Sequence, residues 1–313
     1  MKTAFVFPGQ GSQVVGMAFD LFDGNEAARS VIERADTVLE MSLADIMFGS
    51  GDPEQADTDK AILTQTQNTQ PALFVHSMAV MSALPKSASR PDMVAGHSLG
   101  EYTALAAAGA ISFEDGLRTV RLRGELMAQA GDIRPGTMAA ILGMEDADVE
   151  TLCADAAQGG VVQPANFNSP GQVVISGDVE AVQRAIDMAP ERGARRALAL
   201  PVSGAFHSPL MDFATEGLAE ALAALDIRRP SCPVILNVTA EPTTEPDEIR
   251  RRLVEQLTAP VRWSQSLIAM QTAGASSFVE IGAGKVLSGL VKRTLGRDVE
   301  TQSYAGLSDL ETN

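Results

Sequence analysis

The stretch that decides the fold is Asp92-Met93-Val94-Ala95-Gly96-His97-Ser98-Leu99-Gly100-Glu101-Tyr102-Thr103-Ala104-Leu105-Ala106-Ala107-Ala108. Asp92 to Ala95 reads as a short buried strand, Gly96 to Gly100 as a sharp turn, and the alanine-rich run to Ala108 as a helix. Strand, tight turn and helix in that order, with Gly96-His97-Ser98-Leu99-Gly100 at the turn, match the G-x-S-x-G nucleophile elbow, which lifts a serine hydroxyl onto the start of a helix. Glycine at both flanks fits a crossing in which backbones approach closer than a side chain would allow. The competing reading is a glycine-containing strand-to-helix loop that carries a serine by chance.

Working outward, Thr3 to Phe7 reads as a buried strand ended by Pro8-Gly9, and Pro71 to Leu84 as a helix with proline in its first turn. Ser112 and Asp115, three apart, resemble a capping box opening a helix that runs towards Ala130 and stops at Gly131. Beyond it, Thr137–Leu142 (strand), Ala147–Ala157 (helix), Val161–Asn166 (strand), Gln172–Ser176 (strand), Val179–Met188 (helix) and Arg196–Pro201 (strand) spell βαββαβ, the order of a ferredoxin-like module. Gly131–Gly136 and Ser203-Gly204 bracket it as an insertion. The predicted architecture is therefore α/β: a large α/β-hydrolase-like domain with a parallel sheet (1–131 and 204–313) and an inserted small ferredoxin-like subdomain (132–203). Helices are expected near Leu210–Leu225 and Asp247–Leu257, a strand at Ser277–Ile281, and a frayed polar end from Ser308 to Asn313.

The 313 residues suit about two domains, and 45% hydrophobic with 20% charged residues is ordinary globular composition. Forty acidic against 24 basic side chains give a formal charge of −16, which repels phosphate backbones and anionic lipid surfaces, so no nucleic acid or membrane partner is expected. Met1 to Gly9 lacks a secretory apolar core, and the uncharged, mostly small and apolar stretch Tyr102 to Phe113 falls short of the roughly 20 residues that span a bilayer. A cytoplasmic location is the expectation. Cys153 and Cys232 form no framework and have no neighbours at zinc-ligand spacing, so both read as reduced and neither as a ligand. No repeat of solenoid length is found.

A serine nucleophile needs a base, most often histidine, and the chain has three. His76 lies in an apolar run and reads as a helix histidine; His97 adjoins Ser98 and points the other way on an extended segment. His207 remains, in a loop entered where the insertion ends. A hydrolase triad would add a carboxylate and an HGGG-type loop, and neither is found, since Asp178, Glu180 and Asp187 fall on the insertion. A Ser98–His207 dyad oriented by a backbone carbonyl is the simpler reading. Phe7-Pro8-Gly9-Gln10-Gly11-Ser12-Gln13 is neither a P-loop nor a dinucleotide loop, but it can supply the Gln10 N–H to an oxyanion hole beside the N–H of Leu99. Helical phase sets Arg123 next to the core face of its helix and Arg118 farther out, while separating Arg121 from Arg123 only weakly, and on periodicity alone each reads as a solvated arginine. A buried arginine would call for an anion, and its planar fork suits a carboxylate.

Taken together, Phe7-Pro8-Gly9-Gln10-Gly11-Ser12-Gln13, Thr69-Gln70-Pro71-Ala72-Leu73, Gly96-His97-Ser98-Leu99-Gly100-Glu101-Tyr102, Arg123-Gly124, Asn166-Phe167-Asn168-Ser169-Pro170-Gly171-Gln172, His207 and Gly284-Lys285-Val286-Leu287 resemble the malonyl-CoA:acyl-carrier-protein transacylases, over Phe5 to about Arg297. The resemblance implies a ping-pong acyltransfer in fatty-acid biosynthesis, from malonyl-CoA to the phosphopantetheine thiol of acyl carrier protein, with no metal or redox cofactor. It implies Ser98 as nucleophile, His207 as base, Arg123 on the malonyl carboxylate, Gln10 and Leu99 at the oxyanion, and the Gln256 carbonyl holding the histidine. Gln70 and Asn166 match pocket-lining positions. Phe206 in Ala205-Phe206-His207 looks malonyl-selective, because its bulk would crowd a methyl at C2. Gly282-Ala283-Gly284 departs from an expected Gly-Pro-Gly. Carrier docking candidates are Lys285, Lys292, Arg293 and Arg297 on an expected C-terminal helix, and Arg192, Arg195 and Arg196 on the small module, with a plain solvated face as the alternative. The rival functions are a serine thioesterase, which would deliver water to the same ester, and a module that only sequesters acyl-CoA.

Overall fold

The computed structural model describes residues 2–85, 90–202 and 204–311. Its strands are β1 (Lys2–Phe7), β2 (Met93–Gly96), β3 (Gly136–Leu142), β4 (Val162–Ser169), β5 (Gln172–Asp178), β6 (Arg196–Ala199), β7 (Val234–Ile235), β8 (Pro242–Thr243), β9 (Ala275–Ile281) and β10 (Glu300–Tyr304). They form a six-stranded sheet in the order β10-β9-β1-β2-β7-β8 and a four-stranded one in the order β4-β5-β3-β6. In the larger sheet β10, β9, β1, β2 and β7 run parallel, and β8 closes the edge antiparallel. Side chains of β1 alternate between faces: Phe5 and Phe7 enter one apolar cluster, while Ala4 and Val6 enter another with Trp263 and Leu267. This is the two-residue period of a strand covered by helices on both sides.

The smaller sheet is antiparallel throughout. Ala139 and Ile141 of β3 and Val173 and Ile175 of β5 pack under the helices Asp146–Ala157 and Val179–Met188. The alternate residues, Met138, Ala140, Gln172 and Val174, face the other way into a cavity shared with the larger sheet. Main-chain bonds from Phe167 N to Val261 O (2.9 Å) and from Val261 N to Ala165 O (2.8 Å) stitch β4 to the larger body. The cavity therefore has one wall from each sheet.

Several expectations are corrected. The helix expected from Pro71 spans Thr66–Ala83, with Pro71 in its interior. A proline there deprives the carbonyl four residues earlier of its donor. That carbonyl, Gln67 O, accepts instead from Arg121 Nη1 at 3.1 Å, so the helix tolerates the ring. Ser112 caps the next helix as expected, accepting from Asp115 N at 3.0 Å, but the helix spans Phe113–Ile133 and passes through Gly131. Gly131 does not adopt the left-handed conformation of a terminating glycine; it lets the chain at Gly204 pass close by. The expected boundary at 131/132 thus falls inside a helix. The expected frayed end is instead a short helix, Leu307–Glu311, held by Leu307 N on Asp20 Oδ2 at 2.7 Å. Ser203, Thr312 and Asn313 lie outside the described residues. The helices Glu26–Leu39 and Trp263–Thr272 and the strand β10 were not anticipated. No described helix is long and apolar enough to cross a membrane.

Candidate active site

The loops at the carboxyl ends of β1 and β2 and the helix that follows β9 line the cavity, as parallel sheets favour. Ser98 follows β2 with φ of +52°, a left-handed conformation that costs a non-glycine residue energy and persists only where surroundings enforce it. The enforcement is visible. A Cβ on Gly96 would lie 1.8 Å from the Gly100 carbonyl, and one on Gly100 would lie 2.2 Å from Phe7 O. The buried Asn237, two residues beyond β7, clamps both sides of the turn: its Oδ1 accepts from Ser98 N and its Nδ2 donates to Gly96 O, each at 2.7 Å.

Ser98 Oγ lies 2.7 Å from His207 Nε2, and His207 Nδ1 lies 2.8 Å from the main-chain oxygen of Gln256. A carbonyl can only accept, so Nδ1 carries the proton and Nε2 presents its lone pair to the serine hydroxyl. Burial, and next the nearby Arg123 guanidinium, push the His207 imidazole down to about 3, so it is neutral at pH 7. His207 also has positive φ, +58°. Gln163, from β4, holds its carbonyl with an Nε2 hydrogen bond of 2.9 Å, tying His207 to the smaller sheet.

Arg123 is 1% exposed. Its Nη1 donates to Gln70 Oε1 at 2.8 Å, and its Nη2 donates to Gln256 Oε1 at 2.9 Å and to Ser98 Oγ at 3.1 Å. Every one of these acceptors is neutral. Among the described residues no carboxylate lies within ion-pairing distance of Arg123. A buried, uncompensated cation is costly, and here it adjoins the Ser98 hydroxyl. Gly124 beside it admits the close helix crossing that brings Gln70 within reach, since a Cβ there would lie 2.7 Å from Gln67 Cα.

The cavity, about 390 Å³, is lined by Ser98, His207 and Arg123 together with Gln10, Leu99, Asn166 and Phe206. Neither Gln10 N nor Leu99 N has a backbone partner among the described residues. Of the expected pocket residues, Gln70 stands behind the guanidinium and off the cavity wall.

The acyl transferase domain family model matches residues 4–312. A malonyl CoA-acyl carrier protein transacylase of Bacillus subtilis (strain 168) is 48% identical, over 99% of this chain and 95% of that protein. The chain belongs to the malonyl-CoA:acyl-carrier-protein transacylase family. An acyl carrier protein S-malonyltransferase from Vibrio cholerae superposes with a TM-score of 0.91 at 43% identity, covering 100% of this chain and 99% of that one. A malonyl-transacylase solved in complex with a type II polyketide acyl-carrier protein has a TM-score of 0.91 and 39% identity, covering 100% and 98%.

In this transacylase-family site, sequence reasoning did not single out Asn237, Gln163, the carboxyl of Glu101 or the side chain of Gln256. Glu101 is 1% exposed, and burial pushes its carboxyl up to about 8. Asn237, Gln163 and the Gln256 side chain carry no motif of their own, and Glu101 sits in the quoted elbow stretch with no role assigned to its carboxyl. His97, read as pointing away from Ser98, bonds Asn168 Oδ1 through Nε2 at 2.8 Å and yet also lines the cavity. Of the docking candidates, Arg293 donates to Gln172 Oε1 at 2.6 Å and Arg192 pairs with Asp155 at 2.7 Å. Lys285, Lys292, Arg297, Arg195 and Arg196 are exposed.

Proposed function

We propose that this acyltransferase moves a malonyl group from malonyl-CoA to the phosphopantetheine thiol of acyl carrier protein through an ester on Ser98. The observation that carries the reading is the buried Arg123, whose hydrogen-bond acceptors among the described residues are neutral and whose Nη2 lies 3.1 Å from the Ser98 oxygen. In malonyl the carboxylate is one methylene from the carbonyl carbon under attack, so a site for it must adjoin the nucleophile. When Ser98 becomes an ester its oxygen is a weaker acceptor, which frees an Nη2 proton; Nη1 keeps a second proton beyond the one given to Gln70. Those two protons can form a fork on the carboxylate.

In the first half-reaction His207 Nε2 takes the Ser98 proton as Oγ bonds the thioester carbon. The oxyanion is met by the N–H groups of Gln10 and Leu99. The carbon–sulfur bond then breaks and His207 returns the proton to the departing coenzyme A sulfur. In the second half, the carrier thiol gives its proton to His207 and attacks the ester, the carbon–oxygen bond breaks, and the departing Ser98 oxygen takes the proton back from His207. The reading requires no metal or redox cofactor. Asn166 and Phe206 are taken to shape the acyl pocket, with Gln70 and Gln256 behind the arginine, and Lys285, Lys292 and Arg297 to face the acidic carrier. A cytoplasmic role in fatty-acid biosynthesis fits these substrates. The strand order β4-β5-β3-β6 supports a ferredoxin-like subdomain built on those four strands, and the parallel sheet with its strand-turn-helix elbow supports a hydrolase-like large domain on either side of it in the chain.

The test is intact-mass measurement after mixing with malonyl-CoA, with and without holo carrier. A malonyl adduct that is absent in Ser98→Ala, and that passes to carrier faster than to water, is the expected result. Rapid hydrolysis without carrier, or an unaltered transfer rate in Ser98→Ala, would overturn the reading.

A further inference from the structure

Arg123 and Glu101 are both buried beside the nucleophile, yet no ion pair joins them. Between them stands the fully buried side chain of Gln256. Its Oε1 accepts from Arg123 Nη2 at 2.9 Å, and its Nε2 donates to Glu101 Oε2 at 2.5 Å and to the Ser98 carbonyl at 3.0 Å. One amide therefore faces the cation with its oxygen and the carboxyl with its nitrogen. We propose that the Gln256 side chain, backed by Glu101, is a specificity-determining spacer that orients Arg123 while keeping the neighbouring carboxyl from neutralising it.

The inference rests on the malonyl reading above and deepens it. A carboxylate in contact with Arg123 would satisfy the guanidinium internally, and an incoming acyl carboxylate would then have to displace it. An amide satisfies hydrogen-bonding geometry at both ends without adding charge. Glu101 is suited to its place because burial favours its neutral form, and its other oxygen takes only a long contact from Asn237 N, 3.4 Å. Gln256 also separates two functions within one residue. Its main-chain oxygen holds His207, whereas its side chain holds Arg123, so truncating the side chain leaves the carbonyl that orients the base.

The spacer reads out as acyl selectivity. In Gln256→Ala, Glu101 gains room to approach and ionise against Arg123, and the guanidinium loses a fixed acceptor. The ratio of kcat/KM for Ser98 acylation by malonyl-CoA to that by acetyl-CoA should fall roughly 10- to 100-fold, the range for one hydrogen bond to a charged group. In Glu101→Gln/Gln256→Ala most of that loss should return, because an amide cannot neutralise a cation. A plain packing role would lower both acylation rates alike and give no recovery. If Gln256→Ala fails to fold, Gln256→Asn, one methylene shorter and unable to span both partners, carries the same expectation. An unchanged ratio, or a double variant as unselective as the single one, overturns the spacer. A wild-type chain that forms no malonyl ester would sink the transfer reading itself, whereas a wild-type ester with an unchanged ratio in the variant sinks the spacer alone.

Discussion

Replacing Arg123 by Ala removes the guanidinium that occupies the space between Gln70, Gln256 and Ser98. The magnitude follows from burial. At 1% exposure the arginine is out of water, and a malonyl carboxylate delivered there without it would be a buried, unpaired charge, worth about 3 to 5 kcal/mol against binding and reaction. At roughly 1.4 kcal/mol per tenfold, malonyl acylation of Ser98 should lose about 10² to 10⁴ in kcat/KM. Acetyl-CoA has no carboxylate to strand, so its acylation should fall far less and its share of the product should rise. Arg123→Lys keeps a charge but not the fork, and should recover only part of the malonyl rate. The assay is quenched-flow intact mass of the Ser98 ester with each thioester, with a thermal melt of each variant, since the truncation also strands the Gln70 and Gln256 oxygens. Equal losses for malonyl and acetyl would refute a carboxylate role and reassign Arg123 to the serine oxygen it touches.

Two further outcomes follow from the same geometry. Because His207 stays neutral down to about pH 3, kcat/KM for acylation should hold level from pH 7 to pH 5; a loss centred near 6.5, the ordinary imidazole value, would contradict a desolvated base. Asn237→Ala cuts both 2.7 Å bonds that hold Ser98 in its left-handed turn, so acylation should slow roughly 10- to 100-fold with KM little changed, read by labelling Ser98 with a fluorophosphonate; an unaltered labelling rate would remove Asn237 from nucleophile positioning.

The elbow was legible because its glycines punctuate the chain where backbones must touch: no other residue fits at Gly96 or Gly100. The smaller sheet was legible for a different reason, since the two-residue apolar alternation in β3 and β5 records which face meets helices and which meets the cavity. What sequence could not supply is partnership at long range. Pro71 looks like a helix start until Arg121, 50 positions on, is seen to satisfy the carbonyl it strands. Asn237 and Glu101 carry no local signal, because an amide after a two-residue strand and an acid in a first helical turn are ordinary there. Arg121 and Arg123 share a helix and differ only in what lies opposite. One meets Glu125 and half-exposed surface; the other meets amides and the nucleophile.

The neutral partner of His207 belongs to the same logic as the spacer. A carboxylate behind the imidazole would occupy the position of Gln256 O, in a residue that also touches Arg123, and in a low-dielectric interior it would cancel much of the guanidinium's field. A carbonyl fixes the tautomer without that cancellation. With Gln70 and Gln256 as the arginine's neutral supports, and Glu101 favoured uncharged at pH 7, the described residues of the site hold the Arg123 cation with no counter-charge paired to it. On the proposed malonyl reading, selectivity then works through penalty as much as attraction. An acyl group without a carboxylate leaves the buried cation uncompensated, and one that carries it relieves a cost the folded protein already bears.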